Sequence, residues 1–437
     1  MSGIMEKEMT RQRVDIIGGG LAGLLAGIEL AGGGVEVTIL EAAGDFGGRA
    51  QTRDLDGFLF NRGPHALYVK GALKRELDRF AVRYTGGRSL SGARKAVHEG
   101  KLHHLPTTLG SIATTSLLGI RDKLSFAALF KRVMNGATGD GSFADWLDGQ
   151  RVSAQVRMVV EAMTRLASYT RGSDSLSARE ALDQLRLSAG GTMYIDGGWM
   201  TIVHGLMQKA QNLAVQLRSN ARVEQVNRHG SGYRLRLANG EVRETDAVVM
   251  ALAPHEASAL LPEAQVLAEI RADVRPVRAN TLDLALRHLP EGANDFALGI
   301  DVPFYLSVHS GSAKLAADGG ALVHIAHYLA VGENPAKDAI NGLEGFADLV
   351  MPGWRAVEVH RQTLRGMVVS HGLPRWDRSR PEIAAADYPG LFLAGDWVGN
   401  EGMIGDAAAA SAIAAARSAL NWLSTDRNML DRTKVPA

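Results

Sequence analysis

Apolar residues along this chain fall into patterns that separate strands from helices. Short, mostly apolar runs bounded by glycine or charge read as strands at Val14–Ile17, Val35–Leu40, Asp246–Leu252 and Leu391–Ala394. Tyr233–Leu237 and Glu241–Glu244 flank Asn239-Gly240, the strongest short signal for a hairpin. Helical spacing covers Leu21–Leu30 and Trp199–Gln211, and the alanine-rich run Ala407–Ala416, closely followed by Arg417, reads as a buried helix. Between Ala72 and Leu187 the pattern is mostly helical, with breaks at Gly86-Gly87 and around Gly136–Gly141. From Pro254 to Arg375 strands and helices alternate without a glycine fingerprint.

Residues 14–40 form a strand–turn–helix–strand unit of about 30 residues, the size of a dinucleotide-binding crossover. Glycine-rich pieces lie at both ends of the chain and around 189–198, so the domain built on that unit is predicted to be discontinuous, from residues 11–70, 195–255 and 385–425. Residues 71–194 are expected to form a mainly helical lobe, and 256–384 a substrate-binding domain. The predicted fold class is α/β: a Rossmann-like domain of the two-dinucleotide-binding type, with an α+β substrate lobe on a mixed sheet.

Composition narrows the chemistry. The length of 437 residues suits two or three intertwined lobes. Lys plus Arg number 48 against 47 Asp plus Glu, and no basic patch stands out, so no nucleic-acid partner is expected. The absence of cysteine excludes disulfides, thiolate metal sites and a prosthetic group tethered through sulfur. Met1–Thr10 is polar and lacks the apolar core of a signal peptide. The apolar region Leu105–Phe130 is interrupted by Arg121, Asp122 and Lys123, so it does not reach the roughly 18 apolar residues of a spanning helix. It is expected to pack within the helical lobe; lining an apolar tunnel or touching a membrane surface are the other roles open to it. The expected location is cytoplasmic, with membrane association only at the surface.

Gly18, Gly20 and Gly23 make a G-x-G-x-x-G pattern between strand and helix. The first glycine permits the tight turn, the second lets backbone approach a pyrophosphate, and the third allows close helix packing. The helix start, at Leu21 and Ala22, offers free N–H groups and a positive dipole end to phosphates. Glu41, at the end of the second strand, can accept hydrogen bonds from ribose hydroxyls and would repel a 2′-phosphate.

Asp45-Phe-Gly-Gly-Arg-Ala-Gln-Thr52 follows within a few residues, and Gly63-Pro64-His65 soon after. Here the chain resembles the FAD-dependent amine oxidase, protoporphyrinogen oxidase and phytoene desaturase superfamily. In that superfamily a G-G-R-x-x-T motif reaches the cofactor pyrophosphate; Gly47, Gly48, Arg49 and Thr52 match it. Leu391-Phe-Leu-Ala-Gly395-Asp396 resembles its C-terminal turn, whose carboxylate meets the ribityl or phosphate region. Asn400-Glu-Gly402-Met403-Ile404-Gly405 then leads into a helix whose start is expected near the flavin pyrimidine ring, with the N–H groups of Met403 and Ile404 stabilising charge on reduction. Asp406 reads as a helix cap. Ala221–Val226 resembles the strand that holds adenine through its backbone, which suggests Val223. The resemblance implies FAD held non-covalently.

The superfamily's amine oxidases place a lysine near flavin N5, and the matching stretch here, Ala279–Leu286, has Asn280 or Thr281 instead. That departure points to the phytoene-desaturase-like branch. A flavin can take a hydride from a well-positioned C–H without a protein nucleophile, though an acid or base is needed if a second proton must move. His65, fixed by the Gly63-Pro64 turn near the Arg49 motif, is the candidate. His324 and His327, an odd number apart on a strand, should face opposite sides. No metal site is expected.

The expected function is therefore an FAD-dependent dehydrogenase, desaturase or oxidase moving a hydride from a largely apolar organic substrate to flavin N5. An amine oxidase yielding imine and hydrogen peroxide is the second reading, and a non-redox flavin isomerase or mutase the third. A non-enzymatic architecture like that of Rab GDP-dissociation inhibitors fits poorly with intact Glu41, Gly47-Gly48-Arg49 and Gly395-Asp396. No second nucleotide fingerprint is visible, which favours oxygen or a quinone over NAD(P) as electron acceptor.

Overall fold

A computed structural model describes residues 11–89, 94–317, 319–336 and 338–432, the side chains of 426–432 excepted; the polar start Met1–Thr10 lies outside the described residues. Its frame is a five-stranded sheet in the order Gln216–Arg218, Glu36–Leu40, Arg13–Ile17, Ala247–Met250, Leu391–Leu393. Every neighbouring pair is parallel. The central strands are buried almost end to end, as strands covered on both faces must be, which explains their largely apolar sequences; buried Asp15 and Thr38 are met by the Arg243 side chain. Helices Leu21–Gly32, Met200–Asn212 and Ile404–Arg432 cover one face. A three-stranded antiparallel sheet, Val223–His229, Gly232–Leu237 and Val242–Thr245, covers the other. Asn239-Gly240 turns its last hairpin, with Gly240 at a φ of 84°.

The second layer is a seven-stranded mixed sheet in the order Glu358–Ser370, Val277–Leu286, Ala321–Tyr328, Phe304–Val308, Phe296–Gly299, Lys95–His98, Lys101–His104. Helix Ala339–Val350 closes its outer face. Helices Ile120–Met134, Phe143–Gly149, Ala154–Ser168 and Ala178–Ala189 share a core with its inner face.

Residues 71–194 are thus less purely helical than their pattern predicts. Lys95–His98 and Lys101–His104 form a hairpin on the edge of the second sheet, and Gly86–Arg88 pairs with Thr192–Ile195. The hairpin turns at Glu99 and Gly100, both at positive φ (49° and 69°), a two-residue turn that only its geometry reveals. Its strands carry lysine and histidine on an exposed edge, so the period-two apolar signal is faint.

Asp406 caps a different helix from the one expected. It lies in the first turn of Ile404–Arg432, and its Oδ1 accepts the Leu73 N–H at 2.8 Å, in the first turn of Ala72–Arg79. That helix has Gly71 at its N-cap and no side-chain cap of its own; a side chain at Gly71 would collide with the Asp406 carboxylate. The cap comes from a distant segment because glycine leaves the space for it.

Burial, only partly offset by the Leu73 N–H, pushes the Asp406 carboxyl up to about 6. A folded-state pKa above the unfolded one stabilises the fold most at low pH, and that contribution is lost as pH rises through about 6. Asp406→Asn keeps an acceptor for Leu73 and removes the titration. Denaturation midpoints should therefore show the variant gaining on wild type by on the order of 1 kcal/mol between pH 5 and pH 8. A difference that stays constant with pH would contradict this account of Asp406.

Candidate functional site

The C-terminal ends of the parallel strands open into a cavity of about 1300 Å³, which continues between the helical layer and the second sheet. Common ligand pockets hold roughly 300–1,000 Å³, so this one has room for a large ligand and more.

At one end the Arg13–Ile17 strand runs into Gly18, whose φ is 107°. A side chain at Gly18 would strike the Ala251 carbonyl, one at Gly23 would strike the Gly18 carbonyl, and Gly20 faces open space. Helix Leu21–Gly32 starts with no side-chain cap and no acidic residue in its first turn. Its first backbone bond joins the Leu24 N–H to the Gly20 carbonyl, so the N–H groups of Leu21, Ala22 and Gly23 have no intrahelical partner. This is a ready anion site.

Glu41 stands beside it. Its two oxygens accept the N–H groups of Gly19 at 2.7 Å and Ala43 at 2.8 Å, which fixes the carboxylate while leaving each oxygen a further lone pair. The Gly47 N–H donates to the Gly19 carbonyl at 2.9 Å, and this bond docks the Gly47-Gly48-Arg49 turn onto the first glycine turn.

Arg49 Nη1 donates to Asp396 Oδ2 at 2.6 Å and to the Val369 carbonyl at 2.9 Å. Asp396 is buried, which works against its charge. Arg49 and the His371 side chain outweigh that penalty and hold the carboxyl well below its usual range. The pair joins two motifs at opposite ends of the chain. Arg49 keeps 41% of its side-chain surface exposed, so it can still reach a second anion.

His65 reaches the same cavity. Its Nδ1 sits 3.0 Å from the Gly63 carbonyl, and its ring meets Trp199 edge-on at 4.8 Å. Burial pushes its pKa down to about 4, so the ring is neutral near pH 7 and the same desolvation makes it a weak proton acceptor. On the facing turn Gly402 and Ile404 have φ of 70° and 55°. A β-branched residue in the left-handed region is strained, and such strain concentrates at functional turns.

Of the residues singled out by sequence, the cavity wall includes Gly18, Gly20, Leu21, Ala22, Glu41, Gly47, Gly48, Arg49, Pro64, His65, Val223, Gly395, Asp396 and Ile404. Gly23, Gly63, Gly402 and Met403 stand behind it and shape the turns. Sequence reasoning missed Trp199, Tyr169, Tyr194 and Met367, which also line the cavity. For these the sequence carries no motif. It also missed Asp283, the one acid in the strand Val277–Leu286 and fully buried there, where the signal was present. The two candidates for the lysine position are both buried: Asn280 Oδ1 accepts the Gly366 N–H at 2.8 Å, and Thr281 packs beside Gly63.

The far end of the cavity is apolar, with Leu105, Phe130, Met134, Met163, Leu166 and Leu185 on its wall. The polar end fits a dinucleotide: an open helix start, a fixed carboxylate, an arginine and glycines that let backbone approach closely. Among the described residues no cluster of His, Asp or Glu could hold a metal ion.

Residues 21–277 match the model of the family described as flavin containing amine oxidoreductase. Among curated proteins, the chain is 24% identical over 302 residues to a coproporphyrinogen III oxidase of Bacillus subtilis, covering 60% of this chain and 64% of that protein. It is 23% identical over 295 residues to a carotenoid 3,4-desaturase of Haloarcula japonica, covering 59% of each. Less than two thirds of either relative is therefore spanned. The fold is similar to that of an oxidoreductase from Methanosarcina mazei, with a TM-score of 0.75 over 92% of this chain and 99% of that one, at 18% identity. The family match takes in more than half of the chain, which belongs to the flavin containing amine oxidoreductase family.

Proposed function

We propose that this protein holds FAD non-covalently and uses it, as a dehydrogenase, desaturase or oxidase, on a largely apolar organic substrate. The observation that carries this reading is the two-ended cavity: a dinucleotide cradle at one end and an apolar chamber at the other, joined without a wall between them. The Gly18–Gly23 turn, Glu41 and Val223 are assigned to the ADP half. Arg49 and Gly395-Asp396 are assigned to the diphosphate and ribityl region, and His65 with the Gly402–Ile404 turn to the ring. When bound, FAD supplies a two-electron acceptor that can take a hydride.

The protein's own task is positioning. Tyr169, Tyr194, Phe296 and Met367 form an aromatic and apolar passage that excludes water and aligns a C–H bond. Neutral His65 places no positive charge in this passage. Relatives named for a coproporphyrinogen and for a carotenoid support an organic substrate of that kind. Asn280 and Thr281, where a lysine would favour an amine oxidase, weigh against that second reading.

Substrate entry is assigned to the 102–134 region. Leu109, Ile120 and Leu124 are 83%, 81% and 70% exposed, on helices Leu109–Thr114 and Ile120–Met134. Arg121 and Lys123 lie among them, and Phe130 and Met134 of the same helix reach the cavity. No helix among the described residues is long and apolar enough to cross a membrane. An apolar patch beside Arg121 and Lys123, with Asp122 between them, suits shallow contact with a lipid surface, from which an apolar substrate could pass inward.

The purified protein should carry the oxidised-flavin absorption bands, and anaerobic coproporphyrinogen III or a micellar carotenoid should bleach them. Bleaching by simple amines alone would move the assignment to amine oxidase; a protein that stays colourless after incubation with FAD would end it. Replacing Leu109, Ile120 and Leu124 together by serine should lower co-sedimentation with phosphatidylglycerol vesicles by at least about tenfold, since even one apolar side chain, if fully inserted, contributes about 1.5–3 kcal/mol. The flavin spectrum should not change. Undiminished vesicle binding would remove the lipid contact from the account.

A further inference from the structure

A buried polar chain leads from the cavity wall into the second sheet, and holding the cofactor gives no reason for it. Tyr305, on the Phe304–Val308 strand, lines the cavity, and its hydroxyl lies 3.3 Å from His309 Nε2. Burial pushes the phenol well above its ordinary range and His309 well below its own. Both are therefore neutral: the phenol donates, Nε2 accepts, and His309 keeps its proton on Nδ1. The His309 ring stacks on Tyr194 at 3.8 Å, and its centroid is 4.3 Å from that of His324.

His324 and Asp283, both fully buried, face each other across antiparallel strands. His324 Nδ1 and Asp283 Oδ1 are 2.8 Å apart, and Gln362 Nε2 donates to Oδ2 at 2.9 Å. With Asp283 accepting at both oxygens, His324 donates from Nδ1. The chain thus leaves two buried ring nitrogens, His309 Nδ1 and His324 Nε2, without hydrogen-bond partners on neighbouring rings. Buried polar groups are ordinarily satisfied, so a chain kept only for packing would have closed here. His327, on the same strand as His324, turns the other way and packs against Phe304.

We propose that Tyr305 accepts the second hydrogen of the substrate as a proton, and that His309, His324 and Asp283 are positioning residues that draw the phenol's own proton inward. The inference rests on the redox reading above. FAD, when bound, would supply the acceptor for one substrate hydrogen leaving with its electron pair as hydride. A second C–H bond breaks with its pair forming the new double bond, and that proton goes to the Tyr305 oxygen. The phenol proton passes to His309 Nε2, the atom its hydroxyl already meets at 3.3 Å. The positive charge forms on His309, one ring away from the His324–Asp283 pair, and the two electrons lost by the substrate would go to FAD when it is bound. The other ionisable groups acting on Tyr305 and His309 from neighbouring elements are His65, Tyr169, Tyr194 and Tyr328. Phenols and a neutral imidazole offer no counter-charge, which leaves that role to Asp283.

The test uses the holoenzyme and its Tyr305→Phe and Asp283→Asn variants. Flavin reduction is followed anaerobically with coproporphyrinogen III or a micellar carotenoid, alongside imidazole nitrogen NMR of the full chain labelled at histidine. Tyr305→Phe should leave flavin occupancy and KM within about threefold and slow reduction by about 10²–10⁴-fold, the usual worth of a positioned proton acceptor. It should also move the imidazole signals of both His309 and His324, while Asp283→Asn abolishes the far-downfield N–H proton of His324. Reduction of Tyr305→Phe at the wild-type rate would overturn the proposal, as would His324 signals indifferent to the loss of the Tyr305 hydroxyl. If neither probe bleaches the wild-type flavin, it is the substrate reading that fails, and the imidazole spectra alone decide the relay.

Discussion

Backbone must touch backbone where the Arg13–Ile17 strand ends, and the rest of the site depends on that contact. Gly18 lies against the Ala251 carbonyl, and Gly23 lies against the carbonyl of Gly18, both with no room for a Cβ. Because the two contacts are met, helix Leu21–Gly32 starts right at the strand end and its free N–H groups face the cavity. The Gly47-Gly48 turn then docks on Gly19, which carries Arg49 to the buried Asp396. An alanine at Gly23 would push the helix off the sheet and undo the sequence of contacts from its first step. The cradle is made mostly of main chain, whose placement side-chain substitutions elsewhere can scarcely tune.

Parts of this were legible in the sequence because their physics is local. The Gly18–Gly23 turn, Glu41, Gly47-Gly48-Arg49 and the Asn239-Gly240 hairpin each announce themselves within a few residues, through glycine at positions that demand positive φ or close approach. The mostly apolar runs at Val14–Ile17 and Leu391–Ala394 gave the parallel strands for a related reason: burial on both faces removes the alternation. What stayed hidden is set by distant segments. Asp406 caps the Ala72–Arg79 helix only because the fold brings Gly71 alongside it. The Lys95–His104 hairpin was masked by an exposed, cationic edge. Trp199, Tyr194 and Met367 join the cavity from three elements, and nothing in their immediate neighbours marks them. Asp283 could have been suspected, since an acid within Thr281-Leu-Asp-Leu-Ala-Leu286 must find a buried partner.

The cavity's polarity divides the labour between the two layers. The parallel sheet supplies fixed donors and a fixed carboxylate, which suit a ligand of constant chemistry. The second sheet and the helices against it supply apolar and aromatic surface, which suits a substrate recognised by shape. Asp396 and Arg49 stand near the junction, and their charges compensate each other, so the apolar chamber is spared an uncompensated ion. The Asp283–His324–His309–Tyr305 chain belongs to the second layer and gives it a buried set of ionisable groups behind its lining.

The central claim is that the adenosine diphosphate end of the ligand is held by the Gly18 turn, Glu41 and Arg49. Titrating the flavin-free protein with FAD and separately with FMN, by quenching of flavin fluorescence, tests it most directly. Losing the contacts to the diphosphate and ribose forfeits at least two charge-assisted hydrogen bonds, so FMN should bind at least about 100-fold more weakly than FAD. Equal affinity for the two would show that the glycine cradle holds no dinucleotide, and the account would be wrong at its base.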